Sequence, residues 1–175
     1  MDHEECTILV MEDDENDALL LRRALKRLHI NCPVHIVSDG EEGIAYLRGT
    51  GQYVDRESYP FPGFIITDLK MPGSDGFAVL EFLKSNPEWR VIPTVVLSAS
   101  SDLDDIKKSY MLGASSYHIK PQDSEALREQ LEVINAYWVT CQVPQVDVTG
   151  RQTRTNSAGK LGERFPQPGD PNKSD

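Results

Sequence analysis

The chain has 175 residues, with 18 lysines and arginines, 28 aspartates and glutamates, and 39% hydrophobic residues. This length and composition predict one globular domain with a modest appendage. The formal net charge of −10 disfavours nucleic-acid binding, and the chain has neither a membrane-length apolar stretch nor a basic secretory leader, so we expect a cytoplasmic protein that contacts no membrane.

Short apolar runs alternate with amphipathic segments, which predicts an α/β protein with a doubly wound five-stranded parallel sheet flanked by five helices. The predicted strands span residues 7–11, 34–37, 63–67, 91–97 and 115–119. The helices are expected to begin near the capping residues Asp14, Asp39, Asp75 and Asp102 and at Ser124. Asp17 is interpreted as a second acidic group of the first helix cap. Residues 52–62 are predicted to form a loop.

The composition changes at about Val146. From there to the end of the chain, polar residues dominate and glycine and proline recur. Such a segment has little apolar surface to bury. We therefore expect residues 1–145 to form the domain and residues 146–175 to form a flexible polar tail.

Polar side chains follow four of the five predicted strands. Glu12 and Asp13 follow the first strand, Asp68 the third, Ser98 the fourth and Lys120 the fifth. Because the carboxyl ends of parallel strands meet at one edge of a sheet, these side chains are expected to share a shallow cleft. Taken alone, Asp68 would more often be a turn-capping residue, and Glu12 with Asp13 part of a solvated charge run. The five residues together favour a functional site.

The predicted cleft is suited to a divalent cation. Clustered carboxylates repel one another unless a cation lies between them, and hard cations prefer oxygen ligands. We therefore expect Mg²⁺, held by Glu12, Asp13 and Asp68 and by the backbone carbonyl of Lys70.

The same groups are suited to phosphoryl transfer, whose transition state spreads negative charge over oxygens that a cation, an ammonium and a hydroxyl can contact. Asp68 would be the nucleophile and would become an acyl phosphate. Ser98 would bond a phosphoryl oxygen, and Lys120 would pair with the phosphoryl group.

The residues at these strand ends resemble those of bacterial two-component response regulator receiver domains, which have a flavodoxin-like fold. The matching motifs extend over residues 6 to about 139. They are Ile8-Leu9-Val10-Met11-Glu12-Asp13, Asp68-Leu69-Lys70-Met71-Pro72 with Gly76, Ser98-Ala99, and Gly113-Ala114 with Tyr117 and Lys120-Pro121.

The resemblance implies a mechanism. In such domains the aspartate equivalent to Asp68 accepts a phosphoryl group from a phosphohistidine on a sensor histidine kinase or phosphotransfer protein. The peptide bond between Lys120 and Pro121 would be cis and would direct Lys120 into the cleft. Tyr117 would turn inward as the Ser98 hydroxyl moves toward the phosphoryl group.

The resemblance also implies how the signal leaves the domain. A stand-alone, chemotaxis-regulator-like protein without a DNA-binding or enzyme module would act through protein contacts of its fourth helix, fifth strand and last helix, and could form a homodimer. The basic run in the first helix, the extended loop before the third strand and the ending Tyr137-Trp138-Val139-Thr140 resemble small regulators paired with phytochrome-type kinases.

Two other functions remain open at this point. A magnesium-dependent phosphohydrolase could form the same aspartyl phosphate, but such enzymes generally need an acid two residues after the nucleophile, where this chain has Lys70. A phosphorylation-independent interaction module could share the fold, although all the groups needed for phosphorylation are present. We therefore do not expect an enzyme beyond self-phosphorylation and self-dephosphorylation.

Overall fold

The computed structural model describes residues 7–27, 32–152 and 159–160. Five strands alternate with five helices, as predicted. The strands are β1 (Thr7–Met11), β2 (Val34–Val37), β3 (Pro62–Thr67), β4 (Thr94–Ser98) and β5 (Ser116–Ile119). The helices are α1 (Glu15–Arg27), α2 (Gly40–Arg48), α3 (Gly76–Ser85), α4 (Leu103–Met111) and α5 (Ser124–Trp138). Within these ranges, no helix has the length and apolar character needed to cross a membrane.

The five strands form one parallel sheet in the order β2-β1-β3-β4-β5, which confirms the predicted doubly wound fold. Because successive strand residues point to opposite faces, β1 contributes to two cores. Ile8 and Val10 pack with α1 and α5 on one face. Leu9 and Met11 pack with α2 and α3 on the other.

Aspartate side chains begin all five helices. Each of these carboxylates accepts a hydrogen bond from a backbone N–H of the first helical turn, a group that has no partner within the helix. The capping residues are Asp14, Asp39, Asp75, Asp102 and Asp123. The predicted helix starts are therefore confirmed.

The predicted start of β4 was wrong. β4 begins at Thr94 rather than at residue 91, because residues before it form a turn in which the N–H of Ile92 donates to the carbonyl of Trp89. The predicted loop 52–62 contains a 3-10 turn and aromatic side chains that are buried in the core beside α2. Arg56 fastens it, because its guanidinium donates to the carbonyls of Tyr46 and Leu47 at 2.9 and 2.8 Å.

The predicted domain boundary at residue 145 lies too early. β6 (Gln142–Val143) pairs antiparallel with β7 (Gly159–Lys160). Between these strands the chain returns to the body, where the N–H of Phe61 donates to the carbonyl of Val148 at 2.9 Å and the indole of Trp89 donates to the carbonyl of Gly150 at 3.0 Å. Residues 142–152 thus pack as part of the folded domain. The rest of the predicted tail, 153–158 and 161–175, lies outside the described residues.

Gly150 allows a test of this contact. It has a φ of 84°, and a Cβ atom there would lie 2.6 Å from the Phe61 ring, whereas Gly51 has a φ of 62° and open space around it. We expect Gly51→Ala to cost about 1 kcal/mol of unfolding free energy from backbone strain alone. Gly150→Ala should cost about 1 to 3 kcal/mol more, because the ring must also move. Urea denaturation measures both, and equal losses would contradict the packing of this segment on Phe61.

Candidate functional site

The register of the sheet brings the predicted residues to one edge. Met11 lies opposite Thr67, so the residues that follow them, Glu12 and Asp68, are adjacent. Ser98 lies opposite Ile119, the residue before Lys120. The carboxyl ends of β1, β3 and β5 therefore bring Glu12, Asp68 and Lys120 together, and Ser98 ends β4 beside the end of β5.

Backbone groups hold the Asp68 side chain in one orientation. Its Oδ1 accepts hydrogen bonds from the N–H groups of Leu69 at 2.6 Å and Lys70 at 3.2 Å. Its Oδ2 instead faces the Lys120 ammonium at 3.1 Å. The residue is only 7% exposed. Asp68 thus presents one carboxylate oxygen to the backbone and the other to the cleft.

The main chain of Asp68 is also confined. The Thr67 hydroxyl donates to the Asp68 carbonyl at 2.8 Å. A Cβ atom at Gly76 would lie 2.1 Å from this carbonyl oxygen. Gly76 therefore permits the start of α3 to pass directly against the residue, which explains why the turn after β3 needs a glycine there.

Lys120 lies at the centre of the cleft. Its ammonium contacts three carboxylates, Glu12 at 2.6 Å, Asp17 at 3.0 Å and Asp68 at 3.1 Å. Burial by itself lowers the pKa of Lys120, but the bond to Glu12 and the negative charges around it outweigh burial and raise the pKa above its usual value. Lys120 is therefore a permanent cation whose charge compensates buried carboxylates.

The predicted cis peptide bond was wrong. The bond between Lys120 and Pro121 is trans, as are the other peptide bonds of the described residues. A trans bond is the more stable form before proline as well. With this trans bond the Lys120 ammonium still contacts Asp68, because the long lysine side chain spans the distance from the end of β5.

Three carboxylates provide a site for a divalent cation. Glu12, Asp13 and Asp68 each offer an oxygen, and these oxygens lie within 4.8 Å of one another. Glu12 is 4% exposed, and burial raises its pKa above the usual value even though the bond to Lys120 opposes this. A cation here would favour the ionised form of Glu12. The donor set fits a hard metal ion, and Asp13, which is exposed, leaves the site accessible to solvent.

The other side of the cleft is a hydrogen-bonded network. Lys70 forms an ion pair with Asp105 at 2.9 Å, and the Ser100 hydroxyl donates to the same carboxylate at 2.6 Å. The N–H of Ser100 lies 3.5 Å from the hydroxyl of the fully buried Ser98. The hydroxyl of Tyr117 donates to the carbonyl of Ser100 at 2.8 Å. The network links the end of β3, the loop after β4, α4 and β5.

Residues 8–132 match the family model described as the response regulator receiver domain. The chain belongs to this family. The response regulator Rcp1 of Synechocystis sp. is 35% identical over 132 residues, which cover 75% of this chain and 88% of Rcp1.

Solved structures agree with the receiver fold. The Mn²⁺-bound form of response regulator Rcp1 is 34% identical and has a TM-score of 0.73, covering 80% of this chain and 99% of that one. The phosphorylated cyanobacterial phytochrome response regulator RcpA is 35% identical and has a TM-score of 0.75, covering 81% of this chain and 99% of that one. The flavodoxin-like fold and the family resemblance are both confirmed.

The sequence interpretation of this receiver domain missed the contact between Asp17 and Lys120. The backbone N–H of Asp17 is bound by Asp14, as expected in a helix cap, but its side chain contacts Lys120. The sequence feature that could have indicated this contact is the position of Asp17 in the first turn of α1, the helix that follows β1. A carboxylate there can face the edge of the sheet, yet its partner lies 103 residues away in sequence.

Substitution of Lys120 tests whether its charge supports the buried carboxylates. We expect Lys120→Met to lower the unfolding free energy by about 3 kcal/mol in buffer with a chelator, because removal of one partner leaves buried charges unpaired. Adding Asp68→Asn should recover part of the loss. Lys107→Met, at an exposed position of α4, should have little effect. Urea denaturation measures all of these, and a double variant no more stable than Lys120→Met would refute the electrostatic explanation.

Proposed function

We propose that this receiver domain accepts a phosphoryl group on Asp68 from a phosphohistidine of a sensor histidine kinase or phosphotransfer protein. The observation that carries the proposal is that the two oxygens of the Asp68 carboxylate have different partners. Two backbone amides hold Oδ1, while Oδ2 faces Lys120 in the cleft. The family to which the chain belongs supports the same conclusion.

In the proposed step, Asp68 Oδ2 attacks the phosphorus atom. A P–O bond forms, the P–N bond to the donor imidazole breaks, and its electron pair leaves with the imidazole nitrogen. Lys120 contacts a phosphoryl oxygen through its ammonium, and Ser98 does so through its hydroxyl. Both stabilise negative charge on the oxygens in the transition state. We propose that the domain itself catalyses hydrolysis of the acyl phosphate by water, which releases inorganic phosphate, restores the Asp68 carboxylate and ends the signal.

We propose Mg²⁺ as the cation, held by Glu12, Asp13, Asp68 and the backbone carbonyl of Lys70. When bound, it would supply neutralisation of charge on the phosphoryl oxygens. The carboxylate oxygens within 4.8 Å of one another support this donor set. The Mn²⁺-bound form of Rcp1 supports a divalent cation in a similar receiver domain.

We further propose that Ser98 and Tyr117 form the switch. Tyr117 already bonds the loop after β4 through the Ser100 carbonyl, so displacement of that loop toward a phosphoryl group would change the position of the ring. The output surface would be α4, β5 and α5. Apolar side chains at least 48% exposed lie on these elements, which suits contact with a partner protein or a homodimer. They are Leu103, Tyr110, Met111, Ile119, Val133 and Tyr137.

A phytochrome-type histidine kinase is the proposed phosphodonor, because RcpA is described as a cyanobacterial phytochrome response regulator. With such a donor, we propose that the reaction takes place in the cytoplasm of a bacterium. Comparison of phosphotransfer rates from several purified kinases tests the proposed donor, and a strong preference for a kinase of another class would contradict it.

Asp68→Asn tests the phosphoacceptor. With Mg²⁺ and a small phosphodonor, the wild-type protein should gain one base-labile phosphate, as expected of an acyl phosphate, and Asp68→Asn should gain none. Asp104→Asn, an exposed aspartate in the first turn of α4, should be labelled like the wild type. Intact-protein mass spectrometry before and after mild base provides the measurement. Labelling that survives in Asp68→Asn would refute the assignment.

Ser98→Ala tests the hydroxyl. Removal of one preorganised donor to transition-state oxygens should slow phosphorylation by about 10²-fold at saturating phosphodonor. Ser98→Thr, which retains the hydroxyl, should lose much less. The phosphorylation rate of each variant is measured in a quenched time course with Mg²⁺. Similar rates for the alanine and threonine variants would exclude a role for this hydroxyl in the reaction.

A further inference from the structure

The Lys120 ammonium has three N–H donors, and three carboxylates surround it. Glu12 approaches from the end of β1 at 2.6 Å, Asp68 from the end of β3 at 3.1 Å, and Asp17 from the first turn of α1 at 3.0 Å. Asp17 is thus the member of this set that comes from a helix rather than from a strand end.

Glu12 and Asp68 have competing partners. Glu12 uses Oε2 for Lys120 and Oε1 for the N–H of Asp14, and Asp68 uses Oδ2 for Lys120 and Oδ1 for two backbone amides. The same two residues belong to the carboxylate group that fits a cation. A cation and the ammonium therefore compete for the same two carboxylates.

Asp17 has no such conflict. Within the described residues, the carboxylate group that fits a cation comprises Glu12, Asp13 and Asp68 and leaves Asp17 out. Its side chain is 35% exposed, at the outer side of the ammonium. The start of α1 is already capped by Asp14, so the Asp17 carboxylate is not needed there.

We propose that Asp17 is a positioning residue for Lys120. It gives the ammonium a carboxylate partner on the α1 side, so that Glu12 and Asp68 can turn oxygens toward a divalent cation while Lys120 stays charged and close to Asp68. Without Asp17, the ammonium settles on Glu12 and Asp68 and competes with the cation. This inference rests on the proposed function of the site, but it concerns the protein before phosphorylation.

The matched pair Asp17→Asn and Glu15→Gln tests the proposal. Each variant replaces a carboxylate in the first turn of α1 with its amide, but Glu15 is exposed and Asp17 contacts Lys120. In Asp17→Asn the amide oxygen can still accept a hydrogen bond from the Lys120 ammonium, but the attraction between opposite charges is lost. Calorimetric titration with MgCl₂ should give a dissociation constant about three- to tenfold higher for Asp17→Asn and within about twofold of wild type for Glu15→Gln.

Lys120→Met separates action through Lys120 from direct action on the cation. In that background, Asp17→Asn should change the dissociation constant by less than about twofold, because the competing ammonium is gone. A full effect there would mean that Asp17 acts on the cation directly and would overturn the proposal. Equal effects of Asp17→Asn and Glu15→Gln in the otherwise wild-type protein would also overturn it, because net charge alone would explain them.

A spectroscopic measurement does not depend on the stability of Lys120→Met. In protein labelled with ¹⁵N-lysine, with Lys120 assigned by substituting the other lysines, the Lys120 ammonium signal should shift in Asp17→Asn and stay in place in Glu15→Gln. An unchanged signal in Asp17→Asn would overturn the proposal. None of these measurements uses phosphorylation, so their failure is distinct from a failure of the Asp68→Asn labelling experiment.

Discussion

The contact of one lysine with several carboxylates is the constraint on which this receiver domain depends. Glu12 and Asp68 are almost fully buried, and buried carboxylates without compensation carry a large desolvation cost. Lys120 supplies that compensation from the end of β5. The contact requires β1, β3 and β5 to end at the same level, so the electrostatics of the cleft and the register of the sheet depend on each other.

The amino ends of the strands lie at the opposite edge of the sheet and serve stability rather than chemistry. There the chain after α5 returns to the body, and its carbonyls accept hydrogen bonds from Phe61, which precedes β3, and Trp89, which precedes β4. Gly150 lies directly against the Phe61 ring. These contacts stabilise the amino ends of the central strands and leave the carboxyl ends free for chemistry, where the main chain at Asp68 is confined instead by Thr67 and Gly76.

Local signals predicted most of the fold and most of the site. Apolar runs located the strands, and capping aspartates located the helix starts, because both depend on a few neighbouring residues. Predictions failed where distant residues decide the outcome. Val146 looked like the start of a polar tail but is buried in a core built from other segments, and the loop before β3 became part of the same core. The expected cis bond before Pro121 was an inference from resemblance, and the structure has it trans.

By itself, the sequence determined the order of strands and helices and the residue type at each strand end. Hydrophobic periodicity and helix caps depend only on residues that are close together in the chain. It also placed Asp68, Glu12, Asp13, Ser98 and Lys120 in one cleft, since parallel strands must end at a common edge. Only the tertiary structure decided which oxygens and donors meet there. The contact of Asp17 with Lys120 joins residues 103 positions apart, and no local pattern records a distance that depends on how α1 and β5 pack on the sheet.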